Sequence, residues 1–161
     1  MARVYLSLGS NIERERHIRA GIEELRARFG PLQLSSVYES KAVGFEGDNF
    51  FNLVVALDTD EPVQAVNRSL HEIEDRHGRV RQGPRFSSRT LDIDLLLYGD
   101  LVIREEGLVL PRDEITRNAF VLRPLAEIAP ELEHPLLKRT YRALWEAFDQ
   151  ERQPLWPVAL V

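Results

Sequence analysis

Thr90-Leu91-Asp92-Ile93-Asp94-Leu95-Leu96-Leu97-Tyr98 reads as a β-strand, and Gly99-Asp100 turns the chain behind it. An Arg-rich loop precedes this strand. Before the loop lies a helix whose Val63, Val66, Leu70 and Ile73 form one apolar stripe, with Asp60 as its cap and Gly78 as its stop. Phe50 to Leu57 is another strand, reached through a loop holding Gly44 and Gly47 from a strand over Leu32 to Tyr38. An earlier helix carries Ile18, Ile22, Leu25 and Phe29 on one face and stops at Gly30-Pro31. Either a capping box of Ser10 and Glu13 or a short loop introduces it, and Val4-Tyr5-Leu6-Ser7-Leu8 is the first strand. The order strand, helix, strand, strand, helix, strand predicts an α+β fold. Its core is a ferredoxin-like βαββαβ unit, a mostly antiparallel sheet with helices on one face. A short hairpin reaching Leu110 and extra C-terminal helices, Phe120 to Ile128 and Tyr141 to Phe148, are additions to that core.

The 161 residues fit a single domain over 1–161, long enough to bury a core without staples. There is no cysteine, which excludes disulfides, thiolate metal sites and cysteine nucleophiles. No apolar run is long enough to span a membrane, and Met1-Ala2-Arg3-Val4-Tyr5 leads straight into a strand, so a soluble cytoplasmic protein is expected. The net charge of −5 argues against a general nucleic-acid or membrane binder. Charge is unevenly spread, however. Arg76, Arg79, Arg81, Arg85 and Arg89 fall in a stretch with no acid, so that segment carries +5 and the rest of the chain −10. With 19 arginines against two lysines, coding bias accounts for the residue type but not for the local loss of acids. A basic island in an acidic body suits a small polyanion.

Strand alternation puts Asp92 and Asp94 on one face, with Leu91, Ile93, Leu95 and Leu97 on the other. Two neighbouring carboxylates repel unless neutralised, and a hard divalent cation such as Mg²⁺ is a natural partner. An exposed pair guarding an edge strand is the plainer alternative. The nearby arginines tilt the balance towards a polyphosphate held by metal and guanidinium groups together. Isolated surface ion pairs would explain those arginines equally simply, but each contributes little. No Walker motif or dinucleotide fingerprint is present, so a nucleotide must be held by side chains and a loop that Gly78, Gly83 and Pro84 allow to rearrange. His17, His71, His77 and His134 lack zinc spacing and read as satisfied surface or interface residues. Phe50 and Asn52 share a strand face, offering a stacking ring beside an amide for a flat heterocycle, and Phe120 could supply a second ring. Ordinary core packing is the alternative for each Phe.

Leu8-Gly9-Ser10-Asn11, Phe50-Phe51-Asn52, Gly78-Arg79-Val80-Arg81 and Arg89-Thr90-Leu91-Asp92-Ile93-Asp94 occur in an order and spacing that resembles the 6-hydroxymethyl-7,8-dihydropterin pyrophosphokinases. Pro124-Leu125-Ala126-Glu127-Ile128-Ala129-Pro130 resembles the C-terminal element of that family. The resemblance implies transfer of diphosphate from ATP to the hydroxymethyl group of the pterin, releasing AMP, in folate biosynthesis. It implies two Mg²⁺ ions with ATP, held by Asp92 and Asp94. By the same resemblance, Arg79 and Arg89 belong with the aspartates to the catalytic set. Glu74, Arg81, Arg85, Arg89 and Arg112 would bind ATP. Ser40, Val43, Phe50, Asn52, Phe86 and Phe120 would bind the pterin. The implied partners are these two small molecules, with no nucleic acid and no membrane, and a monomer is expected, with a dimer as the alternative. The chain departs from the family's usual Trp at Phe86, Gly-Pro at Ser87-Ser88, His at Arg112 and Pro at Lys41. A catalytically weak or silent relative that still binds pterin or nucleotide is therefore the competing expectation. A single-stranded nucleic-acid binder would need aromatics on the central strands and a broad basic face, which this acidic chain lacks.

Overall fold

The architecture is built around β1 (Ala2–Ser10), which runs antiparallel between β4 (Phe50–Thr59) and β5 (Asp92–Tyr98). The computed structural model describes residues 1–42, 47–78 and 90–160. β2 (Gln33–Leu34) and β3 (Val37–Ser40) both pair with β4, and β8 (Leu155–Val158) pairs with the outer side of β3. Among the described residues these strands form one six-stranded sheet, in the order β5-β1-β4-β3-β8 with β2 beside β4. α1 (Arg14–Phe29) and α2 (Val63–Arg76) cover one face. Alternate strand residues, including Leu6, Leu8, Leu53, Val55 and Ile93, meet Ile18, Leu25, Val66, Leu70 and Ile73 there in a continuous apolar core. The expected α+β core is present.

The second face is covered too, at one end only. The chain leaves β5, passes through a hairpin of β6 (Ile103–Glu105) and β7 (Leu108–Leu110), and makes a 3-10 turn over Asp113–Thr116. It then forms α3 (Ala119–Ile128), which runs through Pro124, and α4 (Tyr141–Ala147). Val121, Leu122, Leu125 and Tyr141 bury a second apolar core against Tyr5, Val54, Ala56, Leu96 and Leu97. The two helices of the core thus keep to one face, as expected, and the C-terminal additions cover an apolar half-face on the other side.

Four local expectations are corrected. The pairing of β5 with β1 slips between Leu95 and Leu97, so Leu96 is an extra, bulged residue. The alternation changes phase there, and Leu97 joins the second core instead of facing the same way as Leu95. The strand expected over Leu32 to Tyr38 is broken at Ser35: its hydroxyl accepts from Val54 N–H at 2.9 Å, replacing a backbone rung. Ser36 N–H then turns to the Glu127 carboxylate at 3.0 Å. Asp60 does not cap α2; Pro62 occupies the position before its first turn. Ser10 forms no capping box, since it belongs to β1 and donates its hydroxyl hydrogen to the Thr90 carbonyl at 2.5 Å. Gly78, with φ of 75°, closes α2 in the left-handed region as expected, and its N–H bonds Asp75 O at 3.1 Å.

Candidate active site

The end of the second face that α3 and α4 leave open carries the polar residues. Gly9 of β1 lies opposite Asn52 of β4 and opposite Asp92 of β5, and Asn52 lies opposite Tyr38 of β3. Residues in register point to one face, so Asp92, Gly9, Asn52 and Tyr38 form a row across the sheet. The next row towards the covered end holds Asp94, Ser7 and Val54. The next row the other way holds Phe50 and Ser40. Asp92 and Asp94 therefore share a face, as their i, i+2 spacing predicts.

Gly9 has a defined purpose in this row. A Cβ there would come within 2.6 Å of Asn52 Nδ2, so the missing side chain is the space in which the Asn52 amide lies. Asn52 is buried, and among the described residues its Oδ1 has no hydrogen-bond partner. A buried amide acceptor left open in this way costs stability unless a ligand engages it. At the outer edge of the same face, Ser40 and Phe120 line a cleft of about 190 Å³ with Lys41, Gln153 and Leu155. Gln153 fixes the start of α3, accepting from Ala119 N–H at 2.9 Å and donating to Arg117 O at 2.9 Å. Phe120 follows directly and so projects from a tethered helix end.

At the opposite edge, burial raises the Asp94 carboxyl above the ordinary carboxylate range, and Asp92 raises it further; Arg112, 3.4 Å away, acts against both. Among the described residues no cluster of three or more metal-ligating side chains exists. Two carboxylates on one face are, however, the donor set that suits Mg²⁺, which keeps its remaining positions for water and phosphate oxygen. Glu74 lies behind them. It is 3% exposed, and its Oε2 accepts from Ile93 N–H, the amide between the two aspartates, at 2.7 Å. This contact is to the chain's own backbone and ties α2 to β5 between the two aspartates.

Six sequence-selected residues, Val43, Arg79, Arg81, Arg85, Phe86 and Arg89, lie outside the described residues. The others, Ser40, Phe50, Asn52, Asp92, Asp94, Arg112 and Phe120, are placed on or beside the open face, with Glu74 beneath it. Sequence reading missed the space made by Gly9, although a glycine inside a strand is a recognised sign of close approach. It also missed Arg14, which ties α1 to β3 and to the chain just before β4. The Arg14 guanidinium stacks 3.9 Å over Phe51 and donates to Glu39 and to Asn49 O, each at 3.0 Å. Of the four histidines, His71 is exposed as expected and His77 is half-buried, whereas His17 and His134 are buried rather than at the surface.

The family model for 7,8-dihydro-6-hydroxymethylpterin-pyrophosphokinase (HPPK) matches residues 5–130. A 2-amino-4-hydroxy-6-hydroxymethyldihydropteridine pyrophosphokinase from Aquifex aeolicus is 38% identical over 141 residues, covering 86% of this chain and 88% of the relative. One from Methylorubrum extorquens is 40% identical over 136 residues, covering 82% and 85%. In structure, the chain is similar to a crystal structure of Plasmodium falciparum HPPK-DHPS with pteroate, with a TM-score of 0.72 and 15% identity. That match covers 94% of this chain but 44% of the solved one, so the chain spans less than half the length of that structural neighbour and shares its fold over that part. The open-ended face, its paired aspartates and the match over most of the sequence lead to one assignment: the chain belongs to the 7,8-dihydro-6-hydroxymethylpterin-pyrophosphokinase family.

Proposed function

We propose that this protein moves the terminal diphosphate of ATP, as one unit, onto the hydroxymethyl oxygen of 6-hydroxymethyl-7,8-dihydropterin, releasing AMP, in folate biosynthesis. The observation that carries this reading is the single row Asp92, Gly9, Asn52: it sets a carboxylate edge and a buried, open amide on one floor, two strands apart. The amide suits the pterin. Its open Oδ1 accepts from a ring or amino N–H, while its NH₂ donates to a ring acceptor. Phe50 and Phe120 supply the stacking rings, and Ser40 borders the far end of the ring site. With the pterin over β4 and β3, its hydroxymethyl group is directed towards β5 and the aspartates.

Asp92 and Asp94 fit Mg²⁺ by donor type and common orientation, and would hold the two ions that accompany ATP. When bound, those ions supply charge neutralisation at the phosphate oxygens and align the attacking alcohol. The chain's own part is to fix the carboxylates through β5 and Glu74 and to give the nucleotide phosphates guanidinium partners from Arg112, Arg79, Arg81, Arg85 and Arg89. A loose transition state needs no strong base, so a placed histidine is not required. Among the described residues no helix is long and apolar enough to cross a membrane.

Incubation with ATP, Mg²⁺ and the reduced pterin, resolving AMP from ADP, tests the reading. AMP with a diphosphorylated pterin is the expected result; ADP would mean single phosphoryl transfer, and no turnover with intact binding would mean a silent relative. Asp92→Asn and Asp94→Asn should each abolish the AMP signal while the fold is kept.

A further inference from the structure

Arg112 stands where the chemistry of the aspartates calls for a cation. Its Nη2 lies 3.4 Å from Asp94 Oδ1, and its Nε donates to the Glu114 carboxylate. Glu114 is also 3.6 Å from Arg117 Nη2. The Arg112 backbone N–H bonds Leu96 O at 3.1 Å, so the residue is tied to the strand that carries Asp94. The Asp94 carboxyl is largely desolvated, yet each of the two side chains keeps an open edge, at 36% and 30% exposure. The pair is thus accessible to exchange, and Glu114 offers the guanidinium a second acceptor on the same wall.

A divalent cation arriving alone at Asp92 and Asp94 meets this positive charge at close range, and like charges that near repel strongly. A cation arriving with a triphosphate brings anionic oxygens, to which a forked guanidinium can transfer its hydrogen bonds. We propose that Arg112 is a resident counter-ion of Asp94 beside Asp92, so that the protein takes its divalent cation together with the nucleotide rather than before it. This rests on the metal-holding role given to the aspartates above. Arg112 is then a specificity-determining residue for the order of binding, with two successive partners: Asp94 in the free protein and phosphate in the loaded one.

Calorimetric titration of Mn²⁺ into the nucleotide-free protein tests it without reference to turnover. Arg112→Gln should bind Mn²⁺ roughly tenfold more tightly than the unsubstituted protein, as loss of a close like charge requires. The same variant should bind a non-hydrolysable Mg²⁺–ATP analogue more weakly. Arg112→Lys keeps the charge and should match the unsubstituted protein in Mn²⁺ affinity. Unchanged Mn²⁺ affinity in Arg112→Gln overturns the proposal, and so does equal tightening in Arg112→Lys, which would trace the effect to packing. Mn²⁺ binding that survives combined Asp92→Asn and Asp94→Asn substitution overturns the metal assignment itself, a failure the Arg112 variants alone cannot produce.

Discussion

Glu74 Oε2 accepts the Ile93 backbone N–H at 2.7 Å, which places a buried α2 carboxylate against the backbone of the one residue that separates Asp92 from Asp94. Among the described residues β5 is an edge strand, and no further strand of theirs bonds this amide on its outer side. Removing the carboxylate in Glu74→Ala leaves a buried donor unpaired, which costs about 1–3 kcal/mol. It also frees the backbone that spaces the two aspartates. Urea unfolding should show that loss, and turnover should fall with it. Glu74→Gln retains an oxygen acceptor and should recover most of both. Equal loss in the Ala and Gln variants would show that the carboxylate's charge, rather than this bond, is what matters.

Gly9→Ala places a methyl group where the Asn52 amide now lies, 2.6 Å from its nitrogen. The backbone tolerates the substitution, so the fold should persist, but the amide must swing away from the floor of the site. KM for the pterin should rise roughly tenfold, equivalent to about 1.4 kcal/mol of binding. Affinity for the ATP analogue should stay within about twofold. A KM effect on ATP instead would mean that the amide faces the nucleotide.

α3 is held to the sheet by a polar contact set beside the floor of the candidate site. Glu127 accepts from Tyr38 OH at 2.8 Å and from Ser36 N–H and Oγ–H, while Arg123 lies 4.7 Å over the Tyr38 ring. Burial pushes the Tyr38 hydroxyl up to about 12, and the hydrogen bond to Glu127 adds to that, so Tyr38 stays a neutral donor at physiological pH. Glu127→Ala strands the buried hydroxyl and should lower stability by about 1–3 kcal/mol. Tyr38→Phe removes donor and demand together and should cost less. Because Phe120 rides on the same helix, Glu127→Ala should also raise the pterin KM with little change in ATP affinity. Thermal unfolding and paired KM measurements check both halves.

The strands and the aspartate pair were legible because period-two alternation is a local signal. Asp92 and Asp94 needed only their spacing, and Val63, Val66, Leu70 and Ile73 needed only helical periodicity. The bulge at Leu96 was not legible: in Leu95-Leu96-Leu97 every residue is apolar, and nothing local says which one is extra. The break at Ser35-Ser36 depends on a hydroxyl replacing a backbone rung and on Glu127, 91 residues away. β8 was missed because Pro157 weakens any strand reading of Leu155 to Val158. A proline is nonetheless tolerated on an edge strand, and β8 is one. The meeting of Arg112 with Asp94 belongs to tertiary structure, since it requires the chain to leave β5 and return through the β6–β7 hairpin.

A histidine pair couples stability to pH. Glu24 can only accept, so His77 Nε2, 2.5 Å from Glu24 Oε2, carries a hydrogen. Neutral His77 then accepts at Nδ1 from His17 Nδ1–H, at 2.6 Å, which leaves His17 Nε2 to accept from Arg16 Nη2 at 3.3 Å. The chain of bonds runs one way only while His17 is neutral. Burial lowers the His17 pKa, and His77 and Arg16 lower it further; burial alone lowers that of His134. A folded value below the unfolded one, near 6.5, means the unfolded chain takes up protons first as pH falls. Stability is therefore complete above about pH 6.5 and declines below it until the folded histidines also protonate. Burial works to raise the Glu24 carboxyl, but bonds from His77 and Arg76 outweigh it and hold it below the ordinary value, adding a loss of the same sign at lower pH. Melting temperatures measured between about pH 7.5 and about pH 5.5 should fall, and His17→Phe should shallow that slope, with His134→Phe removing more of it. The absolute melting temperature of His17→Phe will drop, because His77 Nδ1 loses its donor, so the slope is the diagnostic quantity. A slope unchanged in both variants would place the pH response elsewhere in the molecule.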